Sequence, residues 1–202
     1  MKTVIERVIG QAAVMGRDDI DTDAIYPGRF LRLVHRDGLG AHLFADWRDE
    51  GRPEVEFMKR ATAPHVLVAL QNFGCGSSRE NAVWALSDYG VQAVVALSFG
   101  DIFRSNCVKN GVVAATLAPA DHAKVLKVLA AAPDGQLRLD VAGRSLQLPD
   151  GSSVPVVLAD GHAEQLLSAE DEVDRTLRHD PALRAYEERV ARLQPWLSSV
   201  DV

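Results

Sequence analysis

Cysteine is almost absent from this chain: Cys75 and Cys107 are the only two in 202 residues. Two thiols exclude a disulfide framework and fall short of the full ligand set of an iron–sulfur cluster or a structural zinc site. An excess of basic residues is missing too. Lys and Arg number 22 against 28 Asp and Glu, for a formal net charge of -6, and no Lys/Arg cluster interleaves with aromatics, so no nucleic-acid partner is expected. Nowhere do about 18 uncharged apolar residues run together, as a membrane-crossing helix needs. The apolar start from Met1 to Gly10 is broken by Glu6 and Arg7, where a secretory signal would keep an uninterrupted core. The expectation is a cytoplasmic protein without a membrane partner.

What is there is an ordinary globular composition, 47% hydrophobic and 25% charged, in a chain long enough for one good core with appendages. From residue 65 the pattern turns regular. Apolar, β-rich runs at 65–71, 92–97 and 112–117 alternate with helical stretches at 80–89, 101–109 and 120–129, which predicts strands joined by right-handed helical crossovers in a parallel or mixed sheet. Val4 to Met15 reads as a further strand. Leu137 to Val141 and Ser145 to Leu148 alternate like a β-hairpin around Ala142-Gly143-Arg144, and Pro149-Asp150-Gly151 turns again. The tail predicts a helix with Asp180 as N-cap and Pro181 as its first residue, running to about Leu193 and stopped by Pro195. Its charged face, with Arg184, Glu187, Glu188 and Arg192, reads as solvated. The fold class is α/β.

The stretch Asn72-Phe73-Gly74-Cys75-Gly76-Ser77-Ser78-Arg79-Glu80 joins the strand at 65–71 to the helix that follows, the place where ligands of such sheets bind. Gly74 and Gly76 allow a tight turn and a close backbone approach, and the helix start offers unpaired N–H groups to a carboxylate or phosphate. A second reading of the same residues is a capping box, with Ser77 and Glu80 satisfying each other's backbone N–H. Cys75 lies where a helix N-terminus lowers thiol pKa values, but no His stands near it in sequence to act as a base, so small-residue packing explains it and no chemistry is assigned to it or to Cys107. Ser98-Phe99-Gly100-Asp101, after the strand at 92–97, is placed to line the same cleft. On its helix, Arg104 and Asn106 suit solvated or capping roles as well as ligand contact.

Two other segments carry polar clusters. Asp18, Asp19, Asp21 and Asp23 fall within six positions, yet the run lacks the spacing of a calcium loop, and Asp and Thr side chains bonding back to turn backbone account for it. Residues 30–64 form a long connection in which His35 and His42 fit no metal motif. There Val34, Leu39 and Leu43 are the apolar residues placed to meet a nonpolar substrate group.

With Asp19-Ile20-Asp21-Thr22-Asp23-Ala24-Ile25, Asn72 to Glu80, Trp84-Ala85-Leu86, and Ser98-Phe99 to Asn110-Gly111 in this order and spacing, the chain resembles the small subunits of 3-isopropylmalate dehydratase, in the aconitase superfamily, over residues 1–160. The resemblance implies a three-layer β/β/α swivelling domain over 1–160 and a C-terminal helical extension over 161–202 packed on it. It implies a partner large subunit carrying a 4Fe-4S cluster, in a heterodimer or higher assembly, with no cofactor or metal bound by this chain. The activity implied is a hydro-lyase reaction that exchanges 2-isopropylmalate and 3-isopropylmalate through 2-isopropylmaleate in leucine biosynthesis. By the same resemblance Ser77 is the general base, acting as an alkoxide, and Ser78 and Arg79 hold substrate carboxylate. The chain departs from the family pattern at Asn81-Ala82-Val83, where His-Ala-Pro is usual, and at Leu166 to Asp171, which lacks the usual glycine. A paralogue acting on 2-methylmalate (citraconate) or dimethylmalate, and a non-catalytic binding module, stand as the alternatives.

Overall fold

The computed structural model describes residues 4–32, 37–168, 170 and 172–197. One seven-stranded mixed sheet runs in the order β4-β3-β2-β1-β5-β6-β7, built from β1 (Arg7–Met15), β2 (Val66–Ala69), β3 (Ala93–Ala96), β4 (Val113–Thr116), β5 (Gln136–Asp140), β6 (Ser145–Gln147) and β7 (Ser153–Pro155). The long first strand is the pivot. Its second half pairs parallel with β2, Ala12 to Met15 against Val66 to Ala69, and its first half antiparallel with β5. The sheet curls until its edges meet: Thr116 of β4 and Val157, just past β7, exchange backbone hydrogen bonds of 3.0 and 2.7 Å.

Side chains alternate across a strand, so each parallel strand feeds two cores. Val66, Val68, Ala93, Val95, Val113 and Ala115 face the inside of the curl, with Leu137, Leu139, Leu146 and Val154 of the antiparallel wing. Leu67, Ala69, Val94, Ala96 and Ala114 face the other way, onto the core shared with α3 (Asn81–Tyr89) and α4 (Asp101–Lys109). A strand buried on both faces must be apolar at every position, which is why β2, β3 and β4 read as unbroken hydrophobic runs. The layering is the expected β/β/α.

One helix follows β4 and another follows β7. The first, α5 (Pro119–Ala131), opens on a proline, which suits a first turn whose N–H has no partner. The second, α6 (Asp160–Leu167), buries Ala163 and Leu166 in the inner core. The chain divides into two compact units, the first ending at Ser168 and the second holding α7 (Glu172–Leu177) and α8 (Asp180–Leu193). In α8 the expected cap is corrected. His179 occupies the N-cap position without a side-chain bond, and Asp180 is already helical, its carboxylate accepting from Arg184 Nε at 2.7 Å. A charge one turn away competes for the carboxylate that would otherwise cap.

Within the connection over 30–64, residues 37–64 hold more structure than a long connection suggests. They hold the 3-10 turns Leu39–His42 and Pro53–Lys59 and the short helix α2 (Ala45–Asp49). Leu39 and Leu43 are buried in the core, so they are packing residues and do not offer an apolar surface to substrate; His42 stacks on Phe30 at 4.1 Å. Val34 and His35 lie outside the described residues. Gly40 docks this segment on α3: its N–H donates to Asp88 at 2.8 Å, and a Cβ there would stand 2.7 Å from the Tyr89 backbone nitrogen. Gly40→Ala should therefore destabilise the fold by about 1–3 kcal/mol through overpacking, read as a lower denaturant midpoint; an unchanged midpoint would show that this docking contributes nothing.

Candidate active site

Three loops leave the carboxyl ends of β1, β2 and β3 and lace together. From β1 comes the aspartate run, leading into the one-turn helix α1 (Thr22–Ile25); from β2 the glycine-serine turn; from β3 the turn at Ser98 to Gly100. The backbone carries the lacing. Asp19 N–H donates to the Gln71 carbonyl at 3.0 Å, Gly74 N–H to Ile20 at 2.7 Å, Thr22 N–H to Cys75 at 2.9 Å, Phe73 N–H to Ser98 at 3.1 Å and Gly100 N–H to Phe73 at 3.0 Å. The turns come close enough to require glycine at two positions. A Cβ on Gly74, which sits at φ +74°, would fall 2.1 Å from the Phe103 ring, and one on Gly100 would fall 2.6 Å from the Gly74 carbonyl oxygen. Beneath them Phe73, Phe99 and Phe103 pack as an aromatic floor.

Each aspartate of the run has a donor. Asp18 accepts from Gln71 N–H at 2.8 Å, Asp19 from the Asn72 side-chain amide at 2.7 Å, and Asp21 from Ala24 N–H at 2.7 Å, where it caps α1. Asp23 accepts two bonds from Arg79, Nη1 at 2.5 Å and Nη2 at 3.1 Å. Bonding back onto local backbone holds for Asp21; the other three reach across to the turn more than fifty residues away.

The three residues singled out in the sequence fall on one short segment ahead of α3. Alternate positions of that segment meet consecutive positions of the aspartate loop. Cys75 pairs with Asp21 through the backbone, Ser77 with Thr22, and Arg79 with Asp23. Ser77 is half-buried; its N–H donates to Thr22 Oγ1 at 3.2 Å, and the two hydroxyl oxygens are 2.9 Å apart. Ser78, between them, is exposed, and its carbonyl accepts from the side chain of Asn106 at 3.3 Å. That contact gives Asn106, which is buried on α4, a role in shaping the turn, whereas Arg104 is paired with Asp101 at the surface.

The capping-box reading is corrected by this geometry. The N-cap of α3 is Glu80, already in helical conformation and without a side-chain cap bond. Ser77 stands three residues upstream, and its hydroxyl meets Thr22. Val83 is fully buried in the outer core, so its replacement of the usual proline is a packing matter, while Asn81 opens the helix half-buried. Of the C-terminal departure, Leu166 is core, whereas Ala169 and Asp171 lie outside the described residues.

Neither thiol is activated. Burial pushes the Cys75 thiol up, and the Asp21 and Asp19 carboxylates push it further; burial pushes Cys107 up as well. Among the described residues, no cluster of three or more His, Cys, Asp or Glu side chains is arranged to hold a metal ion. The residues that sequence reasoning left without a site role are Thr22 and Asp23. Their partners are 55 and 56 residues away, so no local spacing pointed to them.

The chain matches the family of aconitase C-terminal domains over residues 2–120. It is 45% identical over 188 residues to the 3-isopropylmalate dehydratase small subunit of Anaeromyxobacter dehalogenans strain 2CP-C, covering 90% of this chain and 96% of that protein. With the small subunit from Neisseria meningitidis serogroup C strain 053442 it shares 37% over 205 residues, covering 95% and 96%. The crystal structure of a 3-isopropylmalate dehydratase from Methanocaldococcus jannaschii superposes with a TM-score of 0.65 at 29% identity, covering 90% of this chain and 99% of that one. The chain belongs to the aconitase C-terminal domain family, among its 3-isopropylmalate dehydratase small subunits. Among the described residues no helix is long and apolar enough to cross a membrane.

The thiol environment makes a direct prediction. A raised pKa leaves less thiolate at neutral pH, so Cys75 should react with iodoacetamide at pH 7.5 several-fold more slowly than a free cysteine, with a rate that keeps rising above pH 9, while Cys107 reacts only on unfolding. Fast labelling of Cys75 near neutrality would contradict its environment.

Proposed function

We propose that this chain is the small subunit of a 3-isopropylmalate dehydratase, a hydro-lyase that interconverts 2-isopropylmalate and 3-isopropylmalate through 2-isopropylmaleate in leucine biosynthesis. The observation that carries the chemistry is the pairing of Ser77 with Thr22 beside Arg79 with Asp23 at the carboxyl ends of β1 and β2. Ser77 is the general base. In dehydration its alkoxide takes the proton from a substrate carbon. The C–H bond breaks as an O–H bond forms on Ser77, the electron pair becomes the C=C bond, and the hydroxyl leaves with its own pair; hydration runs the same step backwards. A serine hydroxyl needs its anion stabilised to do this, and a nearby guanidinium and hydrogen-bond donors stabilise it.

Arg79 is the carboxylate grip, with Ser78 beside it. Asp23 takes one N–H from each terminal nitrogen of the guanidinium, which orients the plane and leaves the Nε–H and the two outer N–H groups for a ligand. The partner large subunit would carry the 4Fe-4S cluster, which when bound supplies a Lewis acid for the departing hydroxyl. We place the assembly in the cytoplasm, where two free cysteines are at home. Sites for 2-methylmalate or dimethylmalate draw no support from residues 39–43, since Leu39 and Leu43 are core.

In a complex reconstituted with a dehydratase large subunit, Ser77→Ala should abolish turnover while assembly persists, at a stability cost of about 1 kcal/mol for the lost bond to Thr22. Survival of activity would remove Ser77 from the base role. Arg79→Lys should raise KM for 2-isopropylmalate about tenfold or more, since the planar fork is lost. Assayed side by side, 2-isopropylmalate should be preferred to 2-methylmalate and dimethylmalate; the opposite order would overturn the substrate.

A further inference from the structure

We infer that Thr22 is a positioning residue for Ser77: its hydroxyl donates to Ser77 Oγ and stabilises the anionic form. The inference rests on the reading of Ser77 as base. Thr22 is 1% exposed, so its hydroxyl has no water to turn to. Its oxygen accepts the Ser77 N–H at 3.2 Å and lies 2.9 Å from Ser77 Oγ. A hydroxyl has one proton and two lone pairs. With one lone pair committed to the backbone N–H, the proton and the second lone pair of Thr22 remain to face Ser77, and accepting the N–H makes that hydroxyl a better donor. When Ser77 is neutral either oxygen can donate; when it is an alkoxide only Thr22 can. The bond then becomes charge-assisted and strengthens at the stage where the base must be anionic.

Backbone fixes the pair from both sides. Thr22 N–H is bonded to the Cys75 carbonyl and Thr22 carbonyl accepts from Tyr26 N–H, so the threonine cannot turn away without breaking α1 and the lacing together. The charged and titratable groups around Ser77 are Asp21, Asp23, Arg79, Cys75 and Glu80. Asp23 and Arg79 are paired with each other and Asp21 caps α1, which leaves the Thr22 hydroxyl as the uncharged donor aimed at the serine.

Two measurements test this. In the reconstituted complex, Thr22→Val should lower kcat about tenfold to a hundredfold with KM within about twofold, and should move the acidic limb of the pH–rate profile to higher pH, because a less stabilised alkoxide needs more alkaline conditions. Thr22→Ser, which keeps the donor, should restore both. Independently of turnover, a thiol placed by Ser77→Cys in the full chain reports the same bond: adding Thr22→Val should raise its pKa by about one unit, read by mass spectrometry as the pH dependence of alkylation at position 77. An unchanged limb and an unchanged thiol pKa overturn the inference. So does a loss of kcat with the thiol pKa unmoved, which marks a structural role. Should Thr22→Val not fold, Thr22→Ala carries the same expectations, and failure of both to fold assigns the hydroxyl to structure and ends the proposal. Full activity of Ser77→Ala would refute the base assignment alone, since the thiol measurement still decides the hydrogen bond.

Discussion

The site depends on one continuation of strand pairing. In the regular sheet Met15 pairs with Ala69, and past the strand ends Asp21 pairs with Cys75; the offset is 54 residues in both cases (69 minus 15, 75 minus 21). The parallel register of β1 and β2 is thus carried out of the sheet into the two loops. Only then does the chain change step. α1 begins to coil at Thr22 while the opposite segment stays extended, so each further residue on one side spans two on the other, and Thr22 meets Ser77 and Asp23 meets Arg79. Side chains from loops are held with the accuracy of a sheet because they are one register away from it.

That register also places the aspartates. Asp18 accepts from a backbone N–H and Asp19 from a side-chain amide of the turn, Asp21 from a backbone N–H of α1, and the Asp23 carboxylate is matched by the Arg79 guanidinium. Asp18, Asp19 and Asp23 serve as side-chain acceptors in the lacing, while Asp21 caps α1. These bonds are exposed, so water can replace a deleted carboxylate at its donor and the loss stays near the modest net worth of the bond.

The fold was largely legible in the sequence because its physics is local. Strands buried on both faces had to be unbroken apolar runs, and the hairpin had to alternate; β2 to β5 and α3 to α5 lie within a few residues of where pattern put them. Residues 37–64 were not legible, since they dock on α3 through Gly40 and bury Leu39 and Leu43, contacts with no period along the chain. The site was half legible. Glycines, serines and arginine at a strand-to-helix junction marked the segment that laces to the loop after β1, and the family resemblance singled out Ser77, Ser78 and Arg79. What no spacing could tell was which side chains face them, because Thr22 and Asp23 become neighbours only after β1 and β2 have paired.

The same contrast argues against the capping box at Ser77. Ser-x-x-Glu is sufficient for a capping box when nothing else competes for the serine. Here Thr22 competes, held in place by two backbone bonds of its own, and the helix starts three residues later at a residue with no cap. The helix forgoes a bond worth about 1 kcal/mol. The serine oxygen gains a fixed neighbour instead of the mobile first turn of a helix. A cap holds a helix end, and any Ser, Thr, Asp or Asn does it comparably. A base must keep one oxygen at a set place with its anion provided for, and on the proposed reading of Ser77 that demand accounts for a turn tied to a loop from another strand instead of to the helix it introduces.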